Sequence, residues 1–361
     1  MGGDSTAGSQ HPGREIVADP AWFPENFDAR RDEFQFVATN RTELAAQTFL
    51  DGRWDRECAR RCRLSAGTVA SSDAGNNRRS VGIIWHTAFC CSTLLAKALD
   101  WPGSSLSLCE PQILVDIAGA RRTKSLSESR AATIAQITFD LLGRRFTAGE
   151  SIIVKPSPAA NSLLRETAVG TIGQMLFLFS DCKSFLISIA RLGEDGRKYV
   201  RRLFLALLAE GHVQAQWPTA TLLGMSDIEL AAIVWHMQMA EFHRNWPKLA
   251  TGRAASLDCD AFLASPAETL FRLDRFFSLG IGEQHLQDIA AGPLFQRNAK
   301  TGEEAWNVMR RHEEHARLAQ QMDEDLKRIV MESYNICSST PRGYPLPHPL
   351  MPVDKSYFPA M

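Results

Sequence analysis

The chain has 361 residues, 45% of them hydrophobic, which is enough to bury one large or two moderate cores and excludes a disorder-dominated protein. Its 40 Lys and Arg against 41 Asp and Glu give a net charge of −1, so no global field draws it to nucleic acid or to a membrane surface, and any basic site must be local. Eight cysteines, at 58, 62, 90, 91, 109, 182, 259 and 337, are thinly spread and mostly sit beside apolar runs, which points to reduced, buried thiols; Cys58 and Cys62 lack the second Cys/His pair that a zinc site needs.

In chain order, the opening MGGDSTAGSQHPGRE is polar and has no apolar signal-like core, and no run of about 18 apolar residues occurs anywhere, so a soluble, cytoplasmic protein is expected. Its first six residues satisfy a myristoylation pattern that short sequences often match by chance. Residues 20–63 read as a helical preamble, with a helix over 41–50 turning Leu44, Phe49 and Leu50 toward a partner element. A Gly/Ser/Asn loop over 65–80 then releases the chain into the apolar, β-branched run 81–85, a strand buried on both faces. Further strands are predicted at 106–109, 151–154 and 175–179, with helical stretches between them, notably 127–144. From 183 onward the pattern is mainly helical (183–191, 196–209, 227–244, 267–279 and 302–333), with one short strand at 255–257 able to join the sheet. The end carries six prolines from 341 onward and must be extended, draped on the body or loose. Alternating strands and helices predict an α/β fold in three layers, a parallel sheet of about five strands between helices. The expected divisions are a flexible lead and helical preamble over 1–64, the α/β domain over 80–335, and a proline-rich extended tail over 336–361.

In such sheets ligands lie beyond the carboxyl ends of the strands. Those ends carry His86 and Thr87, then Glu110, then Lys155 and Ser157, then Ser180 and Asp181: a base, an acid, a cation and an anion converging on one rim. After the first strand the loop through Cys90 and Cys91 opens a helix with Ser92 and Thr93, so backbone N–H groups and two hydroxyls would face an anion. The pattern G-x-x-x-x-G-K-[ST] is absent, which speaks against an ordinary ATPase. His312 and His315 read as part of a solvated charged face with Arg310 and Arg311. His236 and His243 share one side of a mostly apolar helix, and Arg197, Lys198, Arg201 and Arg202 read as another solvated face.

Four blocks in order, HTAFCCSTLLAKAL (86–99), LCEP (108–111), MLFLFSDCKSFLISIA (175–190) and SLDCDAFLASPAETLFRLDRFFSLGI (256–281), with FQRNAKTGEE (295–304) as a fifth, resemble the sulfotransferase family of P-loop proteins in its bacterial sulfotransferase-like branch. The resemblance spans residues 80–330 and implies in-line transfer of a sulfuryl group from 3′-phosphoadenosine-5′-phosphosulfate (PAPS) to an acceptor hydroxyl or amine, without a metal. It implies Lys155 stabilising the leaving group, Glu110 or His86 taking the acceptor proton, and Ser188 on the 3′-phosphate. The donor nucleotide, or its product adenosine 3′,5′-bisphosphate (PAP), would also meet Cys90, Cys91, Ser92, Thr93, Arg297 and Lys300.

The chain departs from the family where the chemistry is sharpest. Phe89 stands in place of the loop cation, and Ser180 in place of the Arg that opens the 3′-phosphate motif. Either Lys155, Arg297, Lys300 and His86 compensate, or the usual donor is not bound. The alternatives are a non-catalytic protein that binds a nucleotide or partner, and a divergent P-loop hydrolase or kinase. The acceptor, a small molecule or a macromolecule, and the oligomeric state are encoded in none of these motifs.

Overall fold

The computed structural model describes residues 12–54, 57–72, 80–167, 173–211, 224–302, 308–337 and 346–352. The first eleven residues with their myristoylation pattern, part of the Gly/Ser/Asn loop, the last residues of the fifth block and most of the proline-rich tail lie outside them. No helix among the described residues is long and apolar enough to cross a membrane.

The expected helical preamble is corrected: after a short helix, Pro12–Ala18, the chain forms a three-stranded antiparallel sheet of β1 (Trp22–Asp28), β2 (Glu33–Ala38) and β3 (Arg61–Ser65). Strand rather than helix wins because Phe34 and Phe36 alternate with polar neighbours at a period of two. Both rings are buried, at about 2 kcal/mol apiece, and Phe34 packs edge-on to Phe27 of β1 at 5.0 Å. The helix expected over 41–50 is only Arg41–Ala46, capped by Asn40, whose side chain accepts from the Glu43 N–H.

The seven residues after that helix help to build the site. The Leu50 N–H donates to the Cys109 carbonyl at 2.7 Å, and the Gln112 N–H donates to the Leu50 carbonyl at 2.9 Å, so residues 47–53 lie across the end of a strand of the main sheet. Arg41 anchors this arrangement from behind, donating to Glu150 (2.6 Å), Asp100 (2.9 Å) and the Ser105 carbonyl (2.7 Å).

The main sheet is parallel, with strands β4 (Gly82–His86), β5 (Ser105–Cys109), β6 (Ser151–Lys155), β7 (Met175–Phe179) and β8 (Ala254–Asp258) in the order β5-β6-β4-β7-β8. Strand alternation feeds two cores. Ile83, Trp85, Val154 and Phe177 pack under the helices Gln112–Arg122, Cys182–Arg191 and Asp227–Asn245. Ile84, Ile153, Leu176 and Leu257 pack under Ser92–Ala98, Cys259–Ala264 and Pro266–Phe277. This is the three-layer α/β fold, with the strand expected at 255–257 at one edge of the sheet. Residues 346–352 of the tail cover that edge: the Ser256 N–H donates to the His348 carbonyl (3.0 Å) and the Leu350 N–H to the Ser256 carbonyl (2.8 Å). The charged helix expected over 302–333 is two helices, Val308–Gln321 and Asp323–Ile336, broken at Met322.

Candidate functional site

Strand order reverses around β4: the chain leaves it toward β5 on one side and reaches β7 and β8 on the other, which opens a crevice at its carboxyl end. The loop there is held in an unusual backbone conformation. Ala88, Phe89 and Cys91 have φ of 68°, 51° and 60°, each left-handed without being glycine, at roughly 1 kcal/mol apiece. His86 enforces the turn. Its Nδ1 accepts from the Ala88 N–H at 3.1 Å, so its Nε2 carries the proton and donates to the Pro156 carbonyl at 3.0 Å. The Ser92 hydroxyl shares Nδ1 at 3.2 Å. Burial, with Lys155 and Lys300 adding positive charge nearby, pushes the imidazole well below the usual histidine range. A neutral ring with both nitrogens engaged has no lone pair for an acceptor's proton; its geometry is that of a loop scaffold.

Behind the loop, Asn161 donates to the His86 carbonyl (3.0 Å) and Gln238 to the Thr87 carbonyl (3.2 Å). Cys90 turns its buried thiol to the Leu178 carbonyl at 3.5 Å, burial first, then Cys91, pushes it up to about 12, and the residue lines neither chamber described below. No side chain among the described residues caps the helix that Ser92 opens.

Beside the loop, Lys155 ends β6 with its side chain fully buried, and its ammonium donates to Glu110 Oε1 at 2.6 Å. Glu110 follows β5 in a left-handed conformation, φ 53°, that turns its carboxylate into the cleft, where Arg53 stands 3.8 Å from Oε2. Arg53 is itself paired with Asp51 and lies over the Phe49 ring at 3.6 Å. These three residues were missed in the sequence because they fall within the stretch expected to be helical. Once that helix stops at Ala46, the pairing of Leu50 with Cys109 delivers them to the rim.

The cleft has two chambers. One, about 370 Å³, is walled by Phe49, Asp51, Arg53, Glu110, Pro158 and Tyr199; the other, about 270 Å³, by Cys91, Ser188, Arg191, Arg311 and His315. Phe89, Ser92, Thr93, Leu192 and Lys300 line both. A larger hollow of about 470 Å³ lies on the antiparallel sheet, away from the strand ends, and holds none of these groups.

Phe89 packs edge-on against Tyr199 (5.2 Å) and Phe185 (5.8 Å), and the Lys300 ammonium lies 5.2 Å from its ring centroid. Lys300 as a residue keeps solvent access, but dehydration of the ammonium, with Lys155 as a like charge, draws it below the ordinary lysine range. Arg297 is exposed and lines neither chamber. Ser180 is buried away from both, its carbonyl accepting from the Trp235 indole at 2.9 Å.

The smaller chamber corrects the reading of 310–315 as one solvated face. Arg310 and His312 point outward, whereas Arg311 is buried and His315 half-buried against Ser188. Arg311 donates through one terminal nitrogen to Asp260 at 3.3 Å; the other is buried and has no partner among the described residues. Burial works against its charge, but Cys259, Cys91 and Asp260 outweigh it and keep the guanidinium protonated. Burial and the Arg311 charge push His315 down to about 4. The Ser188 hydroxyl donates to the Ser184 carbonyl at 2.9 Å and lies 3.4 Å from His315 Nε2. Nothing in the sequence separates Arg311 from its exposed neighbours except its place on the helix, one turn before His315. Away from the cleft, His236 is held in the core by Ser333 at 3.0 Å, and Arg201 pairs with Asp227 on an exposed face.

Fold and site together define an α/β protein with a left-handed strand-to-helix loop at the junction of two chambers, one edged by a buried arginine. No family model matches the chain, and no curated protein matches it. Among solved structures, a sulfotransferase domain from the curacin biosynthetic pathway aligns over 68% of this chain and 98% of its own, at 14% identity and a TM-score of 0.40, a likeness too slight to bear on function.

Proposed function

We propose that the protein is a sulfuryl transferase that binds PAPS with its 3′-phosphate in the smaller chamber and an acceptor hydroxyl or amine in the larger. The observation that carries this reading is the junction: the two chambers meet at Ser92, Thr93 and Lys300, so a group leaving one ligand for the other passes between hydroxyls, backbone N–H groups and an ammonium. The unpartnered nitrogen of Arg311 is the feature that fits an anion, since a buried guanidinium N–H left unsatisfied costs about 1–3 kcal/mol that a phosphate oxygen would return.

In this reading Arg311, Arg191 and Ser188 hold the 3′-phosphate. The donor supplies an activated sulfuryl group, and this chain's residues orient and stabilise. Lys155 and Lys300 balance negative charge gathering on the bridging oxygen. Glu110, turned into the larger chamber and tied to Lys155, receives the acceptor's proton, while His86 holds the loop in shape.

Calorimetric titration with PAP tests this, with ATP plus magnesium as comparison. Micromolar binding of PAP that weakens about tenfold or more in Arg311→Gln is expected from the loss of one charge-assisted bond. ATP binding with no PAP binding would move the protein to the phosphoryl-transfer class. PAP binding without turnover over a broad acceptor panel would favour a non-catalytic nucleotide binder.

A further inference from the structure

One lysine beneath the cleft lines neither chamber and yet holds a wall of each. Lys97 lies in the last turn of the helix Ser92–Ala98, where a cation suits the carbonyl end of the helix. It comes four residues after Thr93 and so shares its helix face, one turn behind the junction of the chambers. Its ammonium donates to the Thr48 hydroxyl at 3.0 Å and to the Ala299 carbonyl at 2.8 Å. These acceptors lie 49 residues before it and 202 after it in the chain. Each immediately precedes a cleft residue: Thr48 precedes Phe49 of the larger chamber, and Ala299 precedes Lys300, which lines both. From this geometry we infer that Lys97 is a positioning residue: it fastens the 47–50 and 298–302 segments to one helix and thereby sets where Phe49 and Lys300 stand in the cleft. Its part in ligand binding rests on the function proposed above; the fastening itself does not.

The tie is made by a charge with neutral partners. Lys97 is half-buried, and burial draws its ammonium below the ordinary lysine range, so it gives up hydration for a hydroxyl and a carbonyl. An ammonium carries enough N–H donors to serve both acceptors at once, whereas a methionine of similar length serves neither. The 298–302 segment is shaped from within by Asn298, whose side chain accepts from the Lys300 N–H at 2.9 Å and whose carbonyl accepts from the Gly302 N–H at 2.7 Å. That turn sets the local course of the backbone. Its place against the helix depends on contacts outside the turn, and the bond from Lys97 to Ala299 is one of them. The 47–50 segment has a second hold in the pairing of Leu50 with Cys109, so loss of Lys97 falls more heavily on Lys300 than on Phe49.

Two measurements on the full chain separate the fastening from the function. Without ligand, hydrogen exchange followed by mass spectrometry is expected to quicken about threefold or more over 298–302 in Lys97→Met, and less over 47–53, with β2 unchanged. Lys97→Arg, which keeps the charge and the donors, should restore the native rates. With ligand, Lys97→Met is expected to weaken PAP binding about fivefold in the native chain but by less than about twofold in Lys300→Ala, because Lys97 acts through Lys300. A side chain that only stabilised the fold would lower the unfolding midpoint and leave the PAP affinity of the folded protein alone. Lys97→Gln takes the place of Lys97→Met if the latter fails to fold. Native exchange over 298–302 in the folded variant, or equal PAP losses or none in the two backgrounds, would overturn the inference. A native chain that binds no PAP would overturn the proposed function instead, and the exchange rates would still decide the role of Lys97.

Discussion

The ammonium of Lys300 lies over the ring of Phe89, 5.2 Å from its centroid, at the point where the two chambers join. A residue more than two hundred positions away thus brings a positive charge to a loop whose own side chain is apolar, and the ring seats it. Lys300→Ala is expected to weaken PAP binding about tenfold. In that background Phe89→Arg should recover affinity, whereas in the native chain it sets two like charges together and gains little. Titration of the four proteins checks this, and an unchanged Kd in Lys300→Ala would remove the lysine from the site.

Lys155 is fully buried against a carboxylate that is mostly buried, so breaking the pair from one side should cost more than removing it. Glu110→Ala leaves an uncompensated ammonium and is expected to lower the unfolding free energy by about 3 kcal/mol, while Glu110→Leu with Lys155→Met loses less. Urea denaturation of single and double variants decides it; equal losses would mean the ammonium finds water.

His86, His236 and His315 are all pushed down in the folded chain, His236 to about 3 and His315 to about 4, each chiefly by burial. Below their ordinary value of 6.5 the unfolded chain binds protons that the folded chain refuses, so stability is fully present above pH 6.5 and falls on acidification through the window down to about pH 4. Each histidine contributes a slope of about 1.4 kcal/mol per pH unit while its two states differ. Unfolding midpoints measured from pH 7.5 to 4.5 should trace this decline, and His236→Gln should flatten it; a flat native profile would refute the burial argument.

Arg53 and Phe49 wall the larger chamber but not the smaller. Phe49→Ala and Arg53→Ala are accordingly expected to leave PAP affinity within about twofold while raising the acceptor KM about tenfold. Equal losses for both ligands would show that the chambers do not act separately.

The parallel sheet was legible because its strands are short apolar runs that end in, or run directly into, polar residues, and those junctions named His86, Glu110 and Lys155. The antiparallel sheet was not: a β-bulge between Pro24 and Asn26 breaks the alternation of β1, and β3 is too polar to announce itself. Arg311 was hidden for another reason. Its neighbours Arg310 and His312 are exposed, and only the tertiary pairing with Asp260 tells the inward position from the outward ones. Residues 47–53 likewise owe their place to one backbone pairing with Cys109, which no local pattern encodes.

The two chambers draw their walls from opposite parts of the polypeptide, residues 49–53 for one and the helix carrying Arg311 for the other. During synthesis the wall formed by residues 49–53 and the loop emerge long before the guanidinium that edges the smaller chamber. A nascent chain therefore carries half a cleft until its last helices leave the ribosome and dock, and under the function proposed above a nucleotide would act as a late clamp on folding rather than as a nucleus for it.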